Sequence, residues 1–282
     1  MKLATVGVNG QEELALVTDH GLFAVNQLAH NGPWTIARVL EEGDTSLKYL
    51  EGLVPEAHAT LQGYRFLPPW SHPEKILCVG LNYRPHVAEG HFDIPTHPVL
   101  FNKYPNALRG DGARVKAPGD ARQMDYEAEL VIMMGKRARN VPEDDALDYV
   151  FGYMNGNDLS ARDLQFRTSQ WLLGKAADGL GPVGPYVVTA DSVGDPDNLE
   201  IQGFRNGELV QRSNTNQMIF SCRFLVSYIS RYITLEPGDL IFTGTPEGVI
   251  LGKPEGERDW LCPGDTVSVA IEGLGELTTH IG

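Results

Sequence analysis

Two glutamates separated by one residue provide the strongest chemical signal in the sequence. Glu127 and Glu129 lie in residues 125–134, which begin polar and continue as an apolar run typical of a strand. Side chains alternate along a strand, so both carboxylates point to one face, about 7 Å apart at the backbone. Carboxylates this close repel each other unless a cation or a shared proton intervenes. The pair therefore predicts a site for Mg²⁺ or Mn²⁺, which prefer oxygen ligands. The alternative is an edge strand with a solvated acidic face.

A third carboxylate, Asp158, follows one predicted strand and precedes a predicted helix. Ligand sites favour such junctions between elements. Three carboxylates from two segments, with water and substrate oxygens, would complete the octahedron that magnesium prefers. The alternative is that Asp158 only caps the helix.

A histidine and a glutamate three residues apart form a second candidate group. His86 and Glu89 lie between Pro85, which suits the first turn of a helix, and Gly90, which suits its end. On such a helix the two side chains are neighbours. A carboxylate beside an imidazole fixes its tautomer and raises its basicity, as a water-activating base requires. An exposed ion pair of small energetic effect is the alternative.

Two glycine-containing segments offer groups that could bind an anionic substrate. Lys175 lies in residues 174–185, where the density of Gly and Pro predicts an ordered loop. Residues 242–249 end a predicted strand in a tight turn that offers hydroxyls and backbone N–H groups to an anion. A solvated lysine and an ordinary turn are the corresponding alternatives.

The composition excludes several partner classes. The chain has 282 residues, 42% hydrophobic and 21% charged, which is ordinary for a globular protein. Its net charge of −14 repels nucleic acid and anionic membranes, so neither is an expected partner. An anionic substrate would need local positive charge, which a metal ion with nearby Arg and Lys would supply.

Three widely spaced cysteines predict free thiols in a reducing, cytoplasmic environment, since they form no zinc motif and no even disulfide set. Residues 1–13 lack the apolar core of a signal peptide. The most apolar long stretch, residues 218–235, is interrupted by Arg223 and Arg231, so we expect no membrane span.

The remaining pattern predicts the elements that position these residues. Residues 1–70 are expected to form a small N-terminal α+β domain, with a hairpin around Asn9-Gly10 and two helices, followed by a proline-rich linker at 66–73. Residues 71–282 show no regular βαβ alternation, which favours a strand-rich α+β domain over a Rossmann or TIM fold. The predicted strands there are residues 75–80, 129–134, 150–154, 185–189, 200–205, 240–243 and 266–271. The predicted helices are residues 85–89, 143–148, 161–171 and 218–232.

Five segments together resemble the fumarylacetoacetate hydrolase superfamily, in the branch of acylpyruvases and related oxaloacetate decarboxylases. They occur in family order and are GLNYRPHVAEG, DYEAEL, NGNDLSARDLQ, GKAADGLGPVGP and FTGTPEGV. The resemblance covers about residues 75 to 250. It implies a mixed β-sandwich roll and a homodimer.

The resemblance also implies roles for nine residues. It implies one Mg²⁺ or Mn²⁺ ion per subunit, bound by Glu127, Glu129 and Asp158. It implies catalytic roles for His86, Glu89 and Lys175. It implies that the substrate is bound by Arg162, Gln165 and Thr245.

Those groups predict a reaction on a small 2-oxo acid. A metal that binds its carboxylate and 2-oxo oxygens would stabilise the enolate left when the C3–C4 bond of a 2,4-dioxo acid is hydrolysed. We therefore expect an acylpyruvate- or fumarylpyruvate-type hydrolase. The same enolate serves an oxaloacetate decarboxylase or a 2-hydroxyhepta-2,4-diene-1,7-dioate-type isomerase, and both stay open. A homologue that binds a metabolite without catalysis is a further alternative.

Overall fold

The apolar runs of the sequence form strands of two main sheets in the computed structural model, which describes residues 1–53 and 59–282. The larger, mixed sheet contains eleven strands: β1 (Lys2–Val8), β2 (Gln11–Thr18), β3 (Gly21–Ala24), β4 (Arg65–Phe66), β5 (Ile76–Gly80), β6 (Val99–Lys103), β7 (Leu108–Arg109), β10 (Ala128–Met134), β11 (Val150–Asn157), β13 (Gly181–Thr189) and β16 (Leu240–Phe242). Its order is β3-β2-β1-β13-β11-β10-β16-β5-β6, with β4 paired to β1 and β7 to β13.

The second sheet packs beside the first and has five strands in the order β15-β14-β17-β18-β8. These strands are β8 (Ala113–Val115), β14 (Glu200–Arg205), β15 (Glu208–Asn214), β17 (Thr266–Ile271) and β18 (Glu276–Ile281). A two-stranded ribbon pairs β9 (Met124–Asp125) with β12 (Ser160–Ala161). The predicted strand-rich α+β fold is confirmed.

The α-helices of the described residues are short, apart from α8. They are α1 (Val25–Leu28), α2 (Ile36–Glu42), α3 (Asp44–Glu51), α4 (Arg84–Glu89), α5 (Arg162–Gln165), α6 (Leu172–Lys175), α7 (Ala190–Val193) and α8 (Cys222–Tyr232). The 3₁₀ turns are Pro105–Ala107, Glu143–Tyr149, Thr215–Gln217, Ile250–Gly252 and Glu255–Glu257. Within the described part of the chain, no helix has the length and apolar content needed to cross a bilayer.

The central strand β10 is buried along its whole length and packs on both faces. Leu130 and Ile132 contribute to one apolar cluster, whereas Val131 and Met133 contribute to another. A strand that is covered on both faces has a continuous run of apolar residues in its sequence, and residues 130–134 form such a run. The polar start of the same strand therefore lies beside the core of the protein, and this is where Glu129 is found.

The N-terminal strands continue the main sheet. Strand β1 pairs antiparallel with β13, with Lys2 opposite Val188 and Leu3 opposite Val187. Leu3 and Val187 also belong to the same apolar cluster. The predicted domain boundary at residue 70 stays a prediction, and no break in this sheet coincides with it. The predicted hairpin around Asn9-Gly10 is confirmed as β1 and β2.

Three predicted segments differ from the structure. The helix predicted for 161–171 is wrong beyond Gln165, because the hydroxyl of Thr168 bonds to the backbone N–H and carbonyl of Gln170, which competes with helical bonding. The loop predicted for 174–185 is wrong in its second half, because β7 and β11 give Gly181–Thr189 strand partners on both sides. The helix predicted from 218 begins at Cys222, since Ser221 caps it through Phe224 N–H.

Asn82 links two chain segments near α4, the helix that carries His86: the segment before α8 and the segment after β16. Its amide nitrogen donates to the carbonyls of Phe220 at 3.0 Å and Thr243 at 2.7 Å. Its amide oxygen accepts from Phe220 N–H at 2.8 Å. Asn82 is fully buried, so none of these backbone groups has water as a substitute partner.

We expect Asn82→Ala to lower the free energy of unfolding by about 2–4 kcal/mol. The substitution leaves buried backbone donors and acceptors without partners, and each unpaired group lowers stability by ~1–3 kcal/mol. Urea denaturation followed by circular dichroism measures the change. The control Asn216→Ala removes an exposed amide contact and should change the free energy by less than about 0.5 kcal/mol. Equal effects of the two substitutions would contradict the role assigned to Asn82.

Candidate metal centre and active site

The pairing of β10 with β11 brings the three predicted carboxylates together. Glu127 directly precedes β10, Glu129 is the second residue of that strand, and Asp158 directly follows β11. The backbone N–H of Asp158 donates to the carbonyl of Glu127 at 2.9 Å, so the antiparallel pairing continues to this point. One oxygen of each carboxylate lies within 4.8 Å of the other two.

All three carboxylates are buried, with residue exposures of 6% for Glu127, 1% for Glu129 and 0% for Asp158. The alternative of a solvated acidic face is therefore wrong. The capping alternative for Asp158 is also wrong, because α5 begins at Arg162, and its N-cap residue Ala161 makes no side-chain cap.

Two buried cations compensate Glu127. The ammonium of Lys175 lies 2.7 Å from Glu127 Oε2 and 2.7 Å from Asp158 Oδ2. The guanidinium of Arg162 lies 2.6 Å from Glu127 Oε1. Burial opposes ionisation of Glu127, but Lys175 and Arg162 outweigh it and lower the pKa of this carboxyl to about 2. Asp158 and Glu127 likewise outweigh burial at Lys175 and raise the pKa of its ammonium. The alternative of a solvated lysine is wrong, since Lys175 is 2% exposed.

Glu129 lacks such compensation. It accepts a hydrogen bond from the backbone N–H of Gly244 at 2.8 Å and forms no ion pair with any described residue. Burial and the neighbouring charges of Asp158 and Glu127 raise the pKa of Glu129 well above its ordinary value. A buried carboxylate that faces two others without its own cation fits a divalent ion as the missing charge. The donor set consists of oxygens only, which suits Mg²⁺ or Mn²⁺.

The position of Gly244 is set by its backbone. Its φ of +101° is one that L side chains rarely adopt, and an added Cβ would lie 2.7 Å from Asn82 Cβ. Only glycine fits this position without strain, and here its N–H points at Glu129. The turn at 242–249 therefore orients a metal-site carboxylate, which the motif alone did not indicate.

Arg162 and Gln165 lie on the single turn α5 and contact each other through Nη1 and Oε1 at 3.0 Å. Arg162 also contacts Asp125 Oδ2 through Nε at 2.9 Å and through Nη2 at 2.8 Å. Asp125 in turn accepts from the backbone N–H groups of Ile250 at 2.9 Å and Leu251 at 3.0 Å. The guanidinium of Arg162 therefore bridges the carboxylates of Glu127 and Asp125.

His86 and Glu89 are neighbours on α4, as predicted. His86 is 8% exposed, and its Nδ1 lies 3.5 Å from Glu89 Oε2, at the limit of a hydrogen bond. Gly248 N–H donates to Glu89 Oε1 at 3.0 Å and fixes this carboxylate to the 242–249 turn. Because His86 is buried, the alternative of an exposed pair is wrong.

A cavity of about 70 Å³ joins these groups. Seven of the predicted site residues line it: His86, Glu127, Glu129, Arg162, Gln165, Lys175 and Thr245. Asp158 lies behind this lining and Glu89 lines a neighbouring cavity. Four aromatic side chains also line the cavity: Phe92, Phe101, Phe166 and Trp171. The hydroxyl of Thr245 accepts from Gln211 Nε2 at 2.9 Å, which orients it beside the carboxylates.

Sequence reasoning missed three residues that support the site. Asp125 lies inside a recognised motif and could have been found by asking what neutralises Arg162. Gln211 lies on β15, which was not predicted, and its side chain also accepts from Ala128 N–H. Lys103 contacts Asp158 at 2.5 Å from strand β6, and nothing in its local sequence signals this.

Comparison with known proteins identifies the family. The family model described as fumarylacetoacetate (FAA) hydrolase C-terminal matches residues 75–282. The mitochondrial oxaloacetate tautomerase fahd2 of Xenopus laevis is 39% identical over 254 residues, covering 88% of this chain and 79% of that protein.

Two solved structures extend the comparison. A fumarylacetoacetate hydrolase from Exiguobacterium antarcticum has a TM-score of 0.85 and 32% identity, covering 100% of this chain and 99% of its own. A fumarylpyruvate hydrolase from Pseudomonas aeruginosa, solved with Mn²⁺ and pyruvate, has a TM-score of 0.68 and 36% identity, covering 77% of this chain and 91% of its own. The chain belongs to the fumarylacetoacetate hydrolase superfamily.

Proposed function

We propose that the protein is a Mg²⁺- or Mn²⁺-dependent enzyme that forms or consumes the enolate of a 2-oxo acid. The observation that carries this proposal is the buried group of Glu127, Glu129 and Asp158, in which Glu129 has no cation of its own. A bound divalent ion would act as a Lewis acid towards the charge that develops on the 2-oxo oxygen.

The chain's own residues have separate tasks in this reaction. Lys175 offsets negative charge at the carboxylate side of the cavity, since its ammonium already lies between two acids. Gln165 and Thr245 place an amide and a hydroxyl on the cavity wall, where they orient the substrate oxygens.

His86 is the proton carrier of the proposal. It lies on the cavity wall with Glu89 behind it, so it can take a proton from carbon C3 of the substrate or from a water and return it. For oxaloacetate, moving a proton between C3 and the 2-oxo oxygen interconverts keto and enol forms with no bond cleaved elsewhere. The name of the Xenopus laevis relative, which matches most of the chain, favours oxaloacetate tautomerisation as the leading reaction.

Hydrolysis of an acylpyruvate or fumarylpyruvate is the second candidate. Here His86 would take a proton from a water that attacks the C4 carbonyl, and the C3–C4 bond would break to leave pyruvate enolate and a carboxylic acid. The fumarylpyruvate hydrolase solved with Mn²⁺ and pyruvate favours this candidate. Both reactions share one enolate, so the same site residues serve either.

Several expectations from the sequence accompany this proposal. A homodimer, and the absence of nucleic-acid and membrane partners, stay predictions. The cytoplasmic location also stays a prediction, and the name of the Xenopus laevis relative places that protein in mitochondria.

A substrate panel tests the leading reaction. Oxaloacetate enol decay, pyruvate release from oxaloacetate and cleavage of acetylpyruvate and fumarylpyruvate are measured with Mg²⁺ and with Mn²⁺. We expect the largest kcat/KM for oxaloacetate enol–keto interconversion. A larger kcat/KM for either dioxo acid would make the hydrolase the main activity.

Glu127→Gln tests the carboxylate centre. We expect turnover to fall at least about 100-fold, because even residues that only support metal ligands cost 10–100-fold when changed. The control Glu208→Gln, on an exposed strand position, should keep full activity. Full activity of the wild-type protein in EDTA would contradict the metal requirement.

His86→Ala separates proton transfer from enolate stabilisation. We expect about 10²–10⁴-fold losses in tautomerisation and in dioxo-acid hydrolysis, since both need a proton carrier. The rate of oxaloacetate decarboxylation should fall far less, because breaking its C–C bond needs no proton carrier. His20→Ala, in an exposed turn, is the control. Equal losses in all three reactions would argue against the role of His86.

Metal binding should release protons at pH values below the raised pKa of Glu129. Burial and two neighbouring carboxylates make this carboxyl bind a proton more readily than an ordinary glutamate, and a metal ligand must be deprotonated. The apparent affinity for Mn²⁺ should therefore rise as pH rises towards the pKa of Glu129. Calorimetry in two buffers of different ionisation enthalpy measures the released proton. Equal binding enthalpies in the two buffers would contradict this assignment.

A further inference from the structure

Lys103 is a buried cation that the proposed reaction leaves unused. It ends β6, the outermost strand of the main sheet, yet its side chain is fully enclosed. Its ammonium lies 2.5 Å from Asp158 Oδ1 and donates to the carbonyl of Leu180 at 2.7 Å and to the carbonyl of Lys175. The two carbonyls accept two of the three ammonium protons, and the carboxylate of Asp158 lies close by as the counter-charge. These three contacts fix the position of the ammonium.

The contacts of Lys103 divide the carboxylate of Asp158 between two lysines. Oδ1 faces Lys103, whereas Oδ2 faces Lys175 at 2.7 Å. Lys103 also holds the main-chain carbonyl of Lys175 itself. One ammonium thus links Asp158, which follows β11, to the end of α6, where Lys175 begins its path into the cavity.

Packing around Lys103 is tight. A Cβ on Gly181 would lie 3.1 Å from Lys103 Cδ, so the lysine stem fills the space beside β13. Removing a charge from water is costly, and an apolar side chain of similar length would fill this space without that cost. Packing alone therefore does not account for a lysine at this position.

Charge balance supplies a reason. The buried centre combines four carboxylates and three cations: Asp125, Glu127, Glu129, Asp158, Arg162, Lys175 and Lys103. With all groups ionised, these sum to one negative charge, and a divalent ion would make the sum positive. Without Lys103 the loaded centre would be neutral. An anionic 2-oxo acid would then lose part of its attraction to the cavity.

We propose that Lys103 is a positioning residue of the metal centre, which orients the carboxylate of Asp158 and fixes the main chain from which Lys175 projects. This inference rests on the proposed function. It assigns metal affinity in part to a residue that does not line the cavity and is not one of the candidate metal ligands.

Mn²⁺ binding to purified protein tests the proposal, with free Mn²⁺ measured by electron paramagnetic resonance. Lys103→Met keeps the length of the side chain and removes its charge. We expect Mn²⁺ to bind about 10–100-fold more weakly, as for other residues that support a metal ligand, because the lost orientation of Asp158 and Lys175 outweighs the added negative charge, which by itself favours a cation. Lys103→Arg, which keeps the charge, should bind more tightly than Lys103→Met.

Lys75→Met is the matched control. Lys75 also pairs with a buried aspartate, Asp239, at 2.9 Å, but at the opposite end of β5 from the cavity. We expect this variant to lose stability while it keeps wild-type Mn²⁺ affinity, so the loss of a cation from a buried aspartate does not by itself mimic the effect. Circular dichroism in EDTA establishes that each variant is folded.

The outcomes separate this inference from the proposed function. A folded Lys103→Met variant with wild-type Mn²⁺ affinity would overturn the role of Lys103 alone. If that variant does not fold, Lys103→Gln, which keeps N–H donors without the charge, carries the same comparison. Wild-type protein that binds no Mn²⁺ would overturn the metal centre itself. Wild-type protein that binds Mn²⁺ but turns over no 2-oxo acid would refute the proposed reaction. The role of Lys103 would still be tested by the Mn²⁺ affinities of its variants.

Discussion

The structure depends on a group of acids buried where β10 and β11 meet. Like charges out of water repel strongly, so Glu127, Glu129 and Asp158 can share this space only if cations balance them. Lys175 and Arg162 supply part of that balance in direct contacts of 2.6–2.7 Å. Glu129 is left as the uncompensated member, and this deficit is what fits the centre to a divalent ion.

The surrounding elements hold this group at fixed positions. Strands β10 and β11 set the spacing of the acids, and the turn after β16 directs one N–H of Gly244 at Glu129. The same turn holds Glu89 through Gly248, and Asn82 joins that region to α8. Changes in distant packing should therefore affect the carboxylates and His86 together, which is the arrangement expected of a preorganised site.

Much of the site was predictable because its residues lie in local patterns. Alternation along a strand placed Glu127 and Glu129 on one face, and helical spacing placed His86 beside Glu89. Predictions from local patterns were wrong where the structure of a segment depends on strand partners from elsewhere in the chain. Residues 181–184 joined β13 because β7 and β11 border them, although the glycine and proline there are typical of a loop.

The sequence by itself determined the chemistry that is available: a set of oxygen ligands, a histidine–glutamate pair, a lysine, and the family to which they belong. The tertiary structure decided which of these groups are buried and which cations face them. Lys103 and Asp125 entered the site only there, because ion pairs between residues far apart in the chain leave no periodic signal. Burial then raises the energy of every unbalanced charge, so the fold turns a pattern of acids into a centre for a cation.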